Sequence, residues 1–311
     1  MRIVIWFIAL FIPLLASTAT AKSWEDAMRD VEDMANSYFE IAREKGFDGW
    51  LGTAYNEIDV DMHLCAILGR MVGHTDEIAH LEPPQPDEDA DGREFMIASN
   101  SLNNWVIAAK YHHSIDDDSR KRIWNLDCVG KFDIPDDLWV NAPDGYLVEY
   151  DADRSAIMIQ GDITEGFAEA VIDAIATYPE AKVISLGSGG GAVYEAIRAG
   201  MAIRSAGLET ELINNCYSAC PLALAGGTVR FMWWPFKEVG LHQVSSYGSA
   251  IPLSAPVYRH IAVYLAEMGL DPIPIIEMMW SSPPSEMFIV EEQLRCDTRI
   301  ITNHQRGCLS Y

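Results

Sequence analysis

Between residues 155 and 246 the sequence alternates short apolar runs with amphipathic segments, and this alternation constrains the fold more than any other feature. The runs "SAIMIQGDI", "KVISLGSGGG", "ETELINN", "TVRFMWW" and "EVGLHQV" have the length and composition of buried strands. Helical patterns separate them, in "GFAEAVIDAIATYP", "AVYEAIRAGMAIRSAG" and "SACPLALAGG". Strands that alternate with helices form parallel β-α-β units. We therefore predict an α/β domain over residues 146–311.

The preceding part of the chain has helical patterns instead. Residues 23–45 form an amphipathic pattern that Ser23 can cap and Gly46 can end. Further helical patterns lie on either side of the loop "EPPQPDEDADG". We predict a mainly helical N-terminal domain over residues 22–145.

The first 21 residues have the pattern of a signal peptide. Arg2 provides a short positive region, and "IVIWFIALFIPLLA" is an apolar region too short for a comfortable membrane span. Ala19 and Ala21 are the small residues that a signal peptidase requires. We predict cleavage after Ala21 and a periplasmic or secreted mature protein without a membrane span. An uncleaved anchor is the alternative.

The charge of the chain excludes some partners. Its 311 residues include 46 acidic and 22 basic ones, and the formal net charge is −24. Such a chain repels phosphates, so we expect neither nucleic acid nor anionic lipid as a partner. The charge would attract cationic substrates or partners, although solubility alone also accounts for it.

The cysteine content agrees with export. An even number of cysteines in an exported chain favours disulfides over a metal site, and we predict no metal and no cofactor. The cysteines are Cys65, Cys128, Cys216, Cys220, Cys296 and Cys308. Position along the chain suggests Cys65–Cys128, with the other four pairing among themselves. Cys216 and Cys220 could bridge each other across a strand-to-helix turn, pair elsewhere, or stay unpaired.

Three features fall at predicted strand ends, where α/β sheets place their sites. They are the glycine-rich turn at 188–191, Ser218 between two cysteines, and His242 after "EVGL". Glycines at such a turn let backbone N–H groups face a ligand, but the spacing is neither that of a dinucleotide-binding motif nor that of a P-loop. Taken alone, Ser218 is also a good helix N-cap, and His242 could be an ordinary packed histidine.

The segments "MIQGDI", "GSGGGAV", "CYSACPLALAGG" and "EVGLHQ", in this order, resemble the Clp protease/crotonase superfamily. The chain resembles in particular an exported branch related to the Clp proteolytic subunit. The resemblance covers residues 155–302, about half of the chain, and implies a spiral of ββα units. The loops with which the Clp subunit docks an unfoldase are not visible, and residues 22–145 match no family in this way.

The resemblance also implies a catalytic apparatus. It makes Ser218 the nucleophile, His242 its general base, and the backbone N–H groups of Gly190 and Ala219 the oxyanion hole. A serine hydroxyl needs a base to attack at neutral pH, and the tetrahedral oxyanion needs N–H donors aimed at it. For the third residue of a triad, the matching stretch "SEMFIVEEQL" gives Glu286, which could orient the histidine as an aspartate does.

The third role has competitors. Asp271, Glu277 and Glu267 are alternatives, and Glu286 could equally be a solvated surface residue. A serine–lysine dyad with Lys237 is a further option. The family's small and apolar neighbours of the serine are replaced here by "CYSAC". A bridge between these cysteines would add about 2 kcal/mol and would hold the turn that carries the serine.

The acidic loop "DEDADG" has the first spacings of a calcium-binding loop. Its twelfth position is Ala98, where a bidentate glutamate is required. We therefore expect a solvated acidic loop.

The sequence thus predicts an exported serine hydrolase of peptidase type, which acts on a peptide or protein substrate by acyl transfer. A non-catalytic binding or scaffold protein on the same fold is the alternative. The two differ in whether Ser218 and His242 lie within hydrogen-bonding reach and open to a cleft. A crotonase-type acyl-CoA enzyme would need a cytoplasmic location, which the signal peptide opposes. Homo-oligomers are common in the superfamily, so self-association is also expected.

Overall fold

The computed structural model describes residues 24–47, 49, 64–65, 67–74, 85–132, 134–232, 237–304 and 308. The predicted signal peptide lies outside these residues. The N-terminal part is helical, with α1 (Trp24–Glu44), α2 (Gly92–Ser114) and α3 (Asp117–Asp127). A helical stretch at 64–65 and 67–71 and a single 3-10 turn at Asp136–Leu138 accompany these helices.

Helices α1 and α2 pack against each other through small and large apolar side chains. Ala35 and Leu102 belong to one buried cluster, and Ala42 and Phe95 belong to a second. Asp91 begins α2, because its carboxylate accepts from the backbone N–H groups two and three residues ahead, at 2.9 and 3.0 Å. The acidic loop therefore ends in a helix cap.

The C-terminal part is built on a mixed sheet, which has eight strands among the described residues. They are β1 (Tyr146–Asp151), β2 (Ala156–Gly161), β3 (Val183–Ser188), β4 (Glu209–Tyr217), β5 (Arg230–Met232), β6 (Val239–Leu241), β9 (Phe288–Ile289) and β10 (Asn303–His304). The main path runs in the order β1-β2-β3-β4-β5-β10, while β6 pairs with β4 and with β9. A separate hairpin is formed by β7 (Ser245–Ser246) and β8 (Ser249–Ala250).

The central strands β2, β3 and β4 are parallel, as strands joined by helices must be. The helices of this part are α4 (Phe167–Thr177), α5 (Val193–Ser205), α6 (Cys220–Ala225), α7 (Pro256–Glu267), α8 (Pro272–Ser281) and α9 (Glu292–Asp297). One large apolar core joins strands and helices, and it contains Ile157, Ile184 and Leu212 from the three central strands. These fully buried positions explain why the strands read as continuous apolar runs.

Strand β4 changes partners along its length. Near its start Thr210 pairs with Arg230 of β5, and at its end Tyr217 pairs with Gly240 of β6. Both pairings are parallel, so β4 and β6 end at the same edge of the sheet. The residues that follow the two strands, Ser218 and His242, leave the sheet side by side.

One carboxylate connects the helical part to the sheet. Asp127, the last residue of α3, accepts hydrogen bonds from the Asn214 side chain at 2.7 Å and from the Asn215 backbone N–H at 3.0 Å. The Lys237 ammonium lies 3.2 Å from the same carboxylate, and both charged side chains are largely buried. The helical part is therefore fixed to β4 by a partly buried ionic network.

The six cysteines form three pairs at disulfide distance, Cys65–Cys128, Cys216–Cys220 and Cys296–Cys308. This connectivity agrees with the expected Cys65–Cys128 pair and with the bridge hypothesised across the turn. Three such pairs are compatible with an exported protein. Among the helices of the described ranges, none combines the length and the apolarity that crossing a membrane requires.

A mixed α/β architecture preceded by a helical region confirms the fold class predicted from the sequence. The predicted helix after β4 is shorter than expected, because it begins at Cys220 and not at Ser218. The sequence patterns also missed β1 and the two-residue strands. The domain boundary near residue 145 stays a prediction.

Candidate active site

Ser218 stands on a strained turn between β4 and α6. Its φ is 58°, in the left-handed region that side chains other than glycine rarely adopt. Its N–H donates to the Gly240 carbonyl at 2.9 Å, which ties the turn to β6. Ala219 is the residue that precedes α6, and no side chain caps that helix. The Ser218 hydroxyl is thus not a helix cap, and a strained serine at a strand-to-helix turn is typical of nucleophiles.

The glycine-rich turn lies directly over this serine. Gly190 has a φ of 105°, and a Cβ added to it would lie 2.9 Å from Ser218 Oγ and 2.8 Å from the Tyr217 carbonyl oxygen. Its own carbonyl accepts from the Ile163 N–H at 2.8 Å, and the Ala192 N–H donates to the Ile163 carbonyl at 2.7 Å. The turn is therefore fixed to the loop after β2, and only glycine fits against the serine.

The Gly190 N–H, one predicted oxyanion donor, is engaged in this structure. It donates to Ser188 Oγ at 3.0 Å, and Ser188 is only 3% exposed. The second predicted donor belongs to Ala219, which is buried immediately after Ser218. An oxyanion at this site would have to replace the Ser188 hydroxyl as the acceptor of the Gly190 N–H.

His242 is half-buried, one residue beyond β6. Its Nδ1 lies 2.7 Å from the Gln243 carbonyl oxygen. The tautomer that carries the proton on Nδ1 donates to this carbonyl and leaves Nε2 free as an acceptor, which is the form a general base requires. In the part of the chain that the structure describes, no hydrogen bond joins His242 to Ser218. Catalytic pairs are commonly longer before substrate binds.

Glu286 is exposed at a turn closed by a hydrogen bond from its N–H to the Pro283 carbonyl at 3.0 Å. The strand that follows, β9, pairs with β6 through Phe288 and Leu241, so the segment passes close to His242. Among the described contacts, however, His242 Nδ1 is hydrogen-bonded to the Gln243 carbonyl and not to the Glu286 carboxylate. The role of Glu286 stays a prediction.

The competing residues are placed elsewhere. Asp271 caps α8 by accepting from the Ile273 N–H at 3.2 Å. Glu267 and Glu277 are exposed on α7 and α8. The Lys237 ammonium, which a serine–lysine dyad would need, lies in the ionic network with Asp127.

Polar contacts also hold the residue before the serine. The Tyr217 hydroxyl donates to Glu238, and the Lys131 ammonium lies 2.8 Å from this hydroxyl and 2.7 Å from the Glu238 carboxylate. Burial, with the Glu238 charge adding to it, raises the pKa of Tyr217, so the phenol stays protonated. The Cys216–Cys220 pair then spans the turn, with Cα atoms 5.2 Å apart.

Two cavities lie between the helical part and the sheet. The smaller, of about 340 Å³, is lined by Gly189 and Tyr217, the chain neighbours of Gly190 and Ser218. The larger, of about 580 Å³, lies between α2 and the sheet and is lined by His112 and Asp127, among others. Within the described residues no three histidine, cysteine or carboxylate side chains are grouped so that they could hold a metal ion.

Sequence reasoning missed three groups at this site. They are the Ser188 hydroxyl, the Gln243 carbonyl and the Asp162 carboxylate, which lines the smaller cavity. Ser188 and Asp162 belong to the segments "GSGGG" and "GDI", so their position at strand ends was a usable signal. No sequence pattern reports a backbone carbonyl that orients a histidine.

No protein-family profile matches the chain, and no curated protein matches it. Among solved structures it is similar to ClpP1 from Listeria monocytogenes, at 19% identity over 49% of this chain and 91% of that chain, with a TM-score of 0.39. It is also similar to the 1510-N membrane-bound stomatin-specific protease, at 16% identity over 48% of this chain and 77% of that one, with a TM-score of 0.36. An enoyl-CoA hydratase from Mycobacterium avium subsp. paratuberculosis K-10 is 13% identical over 52% of this chain and 69% of its own, with a TM-score of 0.37.

Proposed function

We propose that this chain is an exported serine hydrolase of peptidase type. Ser218 is the nucleophile and His242 the general base, and the backbone N–H groups of Gly190 and Ala219 form the oxyanion hole. The export signal is the segment that ends at Ala21. The observation that carries the proposal is the strained Ser218, presented at the end of β4 beneath the glycine-rich turn.

The neighbouring strand ends support this assignment. The Ser218 N–H donates to the carbonyl of Gly240, which is two residues before His242 in the chain. The Gln243 carbonyl favours the tautomer in which Nε2 accepts a proton. A single histidine with a backbone acceptor can then serve as the base without a carboxylate.

The mechanism follows from these groups. His242 Nε2 takes the proton of the Ser218 hydroxyl as the oxygen attacks the substrate carbonyl carbon. The tetrahedral oxyanion accepts from the Gly190 and Ala219 N–H groups, with Gly190 exchanging its bond to Ser188. The protonated histidine gives its proton to the leaving amine, and water then hydrolyses the acyl-serine by the same route.

A non-catalytic binding protein on the same fold is the second candidate. The occupied Gly190 N–H and the unformed bond between Ser218 and His242 are the observations that favour it.

Labelling of the purified, oxidised mature protein with a fluorophosphonate probe distinguishes the two functions. We expect wild type to be labelled, because the probe reacts with activated serines. Labelling should disappear in Ser218→Ala and fall by at least about 10³-fold in His242→Ala, which loses the base. Glu286→Gln tests the third role, and we expect at most a small effect from it.

The folded state of each variant is checked by its thermal unfolding. An unlabelled but fully folded wild type would contradict the hydrolase and favour the binding protein. If Ser218→Ala is still labelled, the nucleophile is a residue other than Ser218.

A further inference from the structure

The smaller cavity, which we call the Asp162 pocket, adjoins the glycine-rich turn and the end of β4. It is bounded by α3, by residues 139–144 and by the ends of β2, β3 and β4. Gly189 and Tyr217 belong to its wall, and the next residue of each segment is part of the proposed catalytic apparatus. Its volume of about 340 Å³ is at the small end for ligand pockets and suits one long side chain.

Two carboxylates line this pocket, and neither forms an ion pair within the described residues. Asp162 is half-buried, and the Gly145 N–H donates to it over a long 3.4 Å. Asp144 is exposed at the rim. Burial raises the pKa of Asp162 and the Asp144 charge adds to this, while the Gly145 N–H and the Arg122 charge oppose it in part. In the described ranges neither carboxylate lies within 4 Å of a basic side chain. A partly desolvated carboxylate of this kind is stabilised by a ligand cation.

Two amide oxygens provide an independent observation. Gln160 and Asn214 line both this pocket and the larger cavity, are 4% and 7% exposed, and each has a side-chain oxygen without a hydrogen-bond partner. Their amide nitrogens are used, since Gln160 donates to Tyr111 and Asn214 to Asp127. The oxygen of Asn214 is turned toward the pocket wall at Gly187, because a Cβ added there would lie 2.8 Å from it. Buried acceptors without donors require donors from a ligand or from water.

Arg122 is the basic residue of this wall within the described residues. Its guanidinium donates to Ser119 Oγ at 2.9 Å and to the Pro143 carbonyl at 3.1 Å, so it joins α3 to residues 139–144. One arginine and two aspartates leave the pocket with a net negative charge. The net charge of −24 for the whole chain would concentrate cations around it further.

We propose that the Asp162 pocket binds the side chain of a lysine or arginine adjacent to the bond that Ser218 attacks. The cationic head lies at Asp162, with Asp144 at the rim, and its N–H groups donate to the free amide oxygens of Gln160 and Asn214. The position of the bound side chain next to the cleaved bond rests on the proposed hydrolase function, whereas binding of the cation needs no catalysis. The substrate class is therefore peptides or proteins with basic residues.

The test measures binding to the Ser218→Ala protein by calorimetry, so that it is independent of turnover. The probes are acetyl-Ala-Ala-lysine amide and the same peptide with norleucine, which has the alkyl chain without the ammonium. We expect the lysine peptide to bind about tenfold tighter or better. Adding Asp162→Asn should remove most of this preference. The matched change Asp173→Asn, on an exposed face of α4, should not.

A steric variant tests the location. A Cβ on Gly189 would make ordinary contacts of 3.9 Å with Asp162 Oδ1 and Leu126 Cδ1, so Gly189→Ala should fold and should weaken binding of the lysine peptide without removing a charge. Equal binding of the two peptides, no binding of either, or a preference that survives Asp162→Asn would overturn the inference. Fluorophosphonate labelling of wild type reports the hydrolase separately. A labelled enzyme without a lysine preference refutes only the pocket, and a lysine preference without labelling refutes only the chemistry.

Discussion

At the scale of single residues, the geometry of the site depends on two neighbouring positions with positive φ, one of which is not glycine. Ser218 has a strained backbone conformation. Gly190 packs directly against its side chain, where any Cβ would overlap the serine. Positions of this kind cost of order 1–3 kcal/mol and persist where the surrounding structure enforces them. Here Ser218 is held by its hydrogen bond to Gly240 of β6, and Gly190 is held by its hydrogen bond to Ile163.

Gly190→Ala should therefore abolish the site. The new methyl would overlap the Ser218 side chain, so either the serine or the proposed oxyanion donor must move. We expect fluorophosphonate labelling to fall by at least about 10²-fold, as when an oxyanion donor is lost.

Gly207→Ala is the control for that variant. Its φ of 71° carries the same kind of backbone penalty, but no atom lies within 4 Å of the added Cβ. The control should lose some stability and keep its labelling. If Gly190→Ala labels like Gly207→Ala, the glycine turn is not part of the site.

Residue types at this site were predictable, whereas their conformations were not. The positions of Ser218, His242 and the glycines at strand ends follow from the alternating pattern. Left-handed φ at a serine, the bond from Gly190 to Ser188 and the carbonyl that meets His242 all depend on tertiary contacts that no local pattern encodes.

At the scale of elements, three separate contacts hold the turn between β4 and α6. The strand pairing with β6 holds one side, the glycine-rich turn covers the top, and the Cys216–Cys220 pair joins the two ends. Both cysteines are almost fully buried, at 0% and 1% exposure. The pair fixes the turn itself more than it fixes the domain.

Replacing both cysteines, as Cys216→Ala with Cys220→Ala, should thus impair labelling more than folding. Closing so short a loop contributes only about 2 kcal/mol in the chain-entropy model, so the melting temperature should fall by a few degrees. We expect the labelling rate to fall by roughly tenfold, because the serine is no longer held in its strained conformation.

The pair Cys296→Ala with Cys308→Ala serves as the comparison. Its bridge spans 12 residues away from the turn, and its loss should lower stability by about 3 kcal/mol without a change in labelling rate. Equal loss of labelling in both double variants would show that the turn has no special dependence on its own bridge.

Elements with a strong pattern were predicted, and short or exposed ones were not. The central strands and α4 and α5 match their predicted positions closely because they are buried and periodic. Strand β1 was missed because it is half-buried along its whole length and lies at the edge of the sheet. Strands β9 and β10 have two residues each, too few for any period to show.

At the scale of the whole molecule, the interface between the helical part and the sheet contains partly buried polar groups, such as Asp127 and Lys237. His112 on α2 is buried in this interface, facing Asp127, Lys237 and Arg120. Burial lowers the pKa of His112 from its ordinary 6.5 to about 4, opposed by Asp127 and assisted by Lys237 and Arg120. The folded protein therefore keeps this imidazole neutral.

The consequence is a loss of stability in mild acid. Between pH 6.5 and about 4 the unfolded chain binds a proton at this histidine that the folded protein does not, so stability falls as the pH falls through this window. The effect amounts to about 3 kcal/mol once the pH is below about 4. Urea unfolding measured from about pH 7.5 to about pH 4.5 should show part of it.

His112→Gln should reduce this acid dependence, while His113→Gln on the exposed neighbouring position should leave it as in wild type. An unchanged pH profile in His112→Gln would assign the acid sensitivity to carboxylates instead. The sequence alone gave no indication of this interface, because two adjacent histidines on a helix do not reveal which one is covered.

The exchange of partners along β4 has a consequence for how such a chain can vary. Thr210 must stay in register with β5 while Tyr217 stays in register with β6, and both pairings belong to one strand of nine residues, whose pairing with β3 shifts register between Leu212 and Cys216. Deleting or inserting one residue between them would turn every following side chain to the opposite face and rotate the serine away from its turn. The hairpin β7–β8 and residues 139–144 can change length without this penalty, so the number of residues in β4 is expected to be invariant while the loops around it diverge.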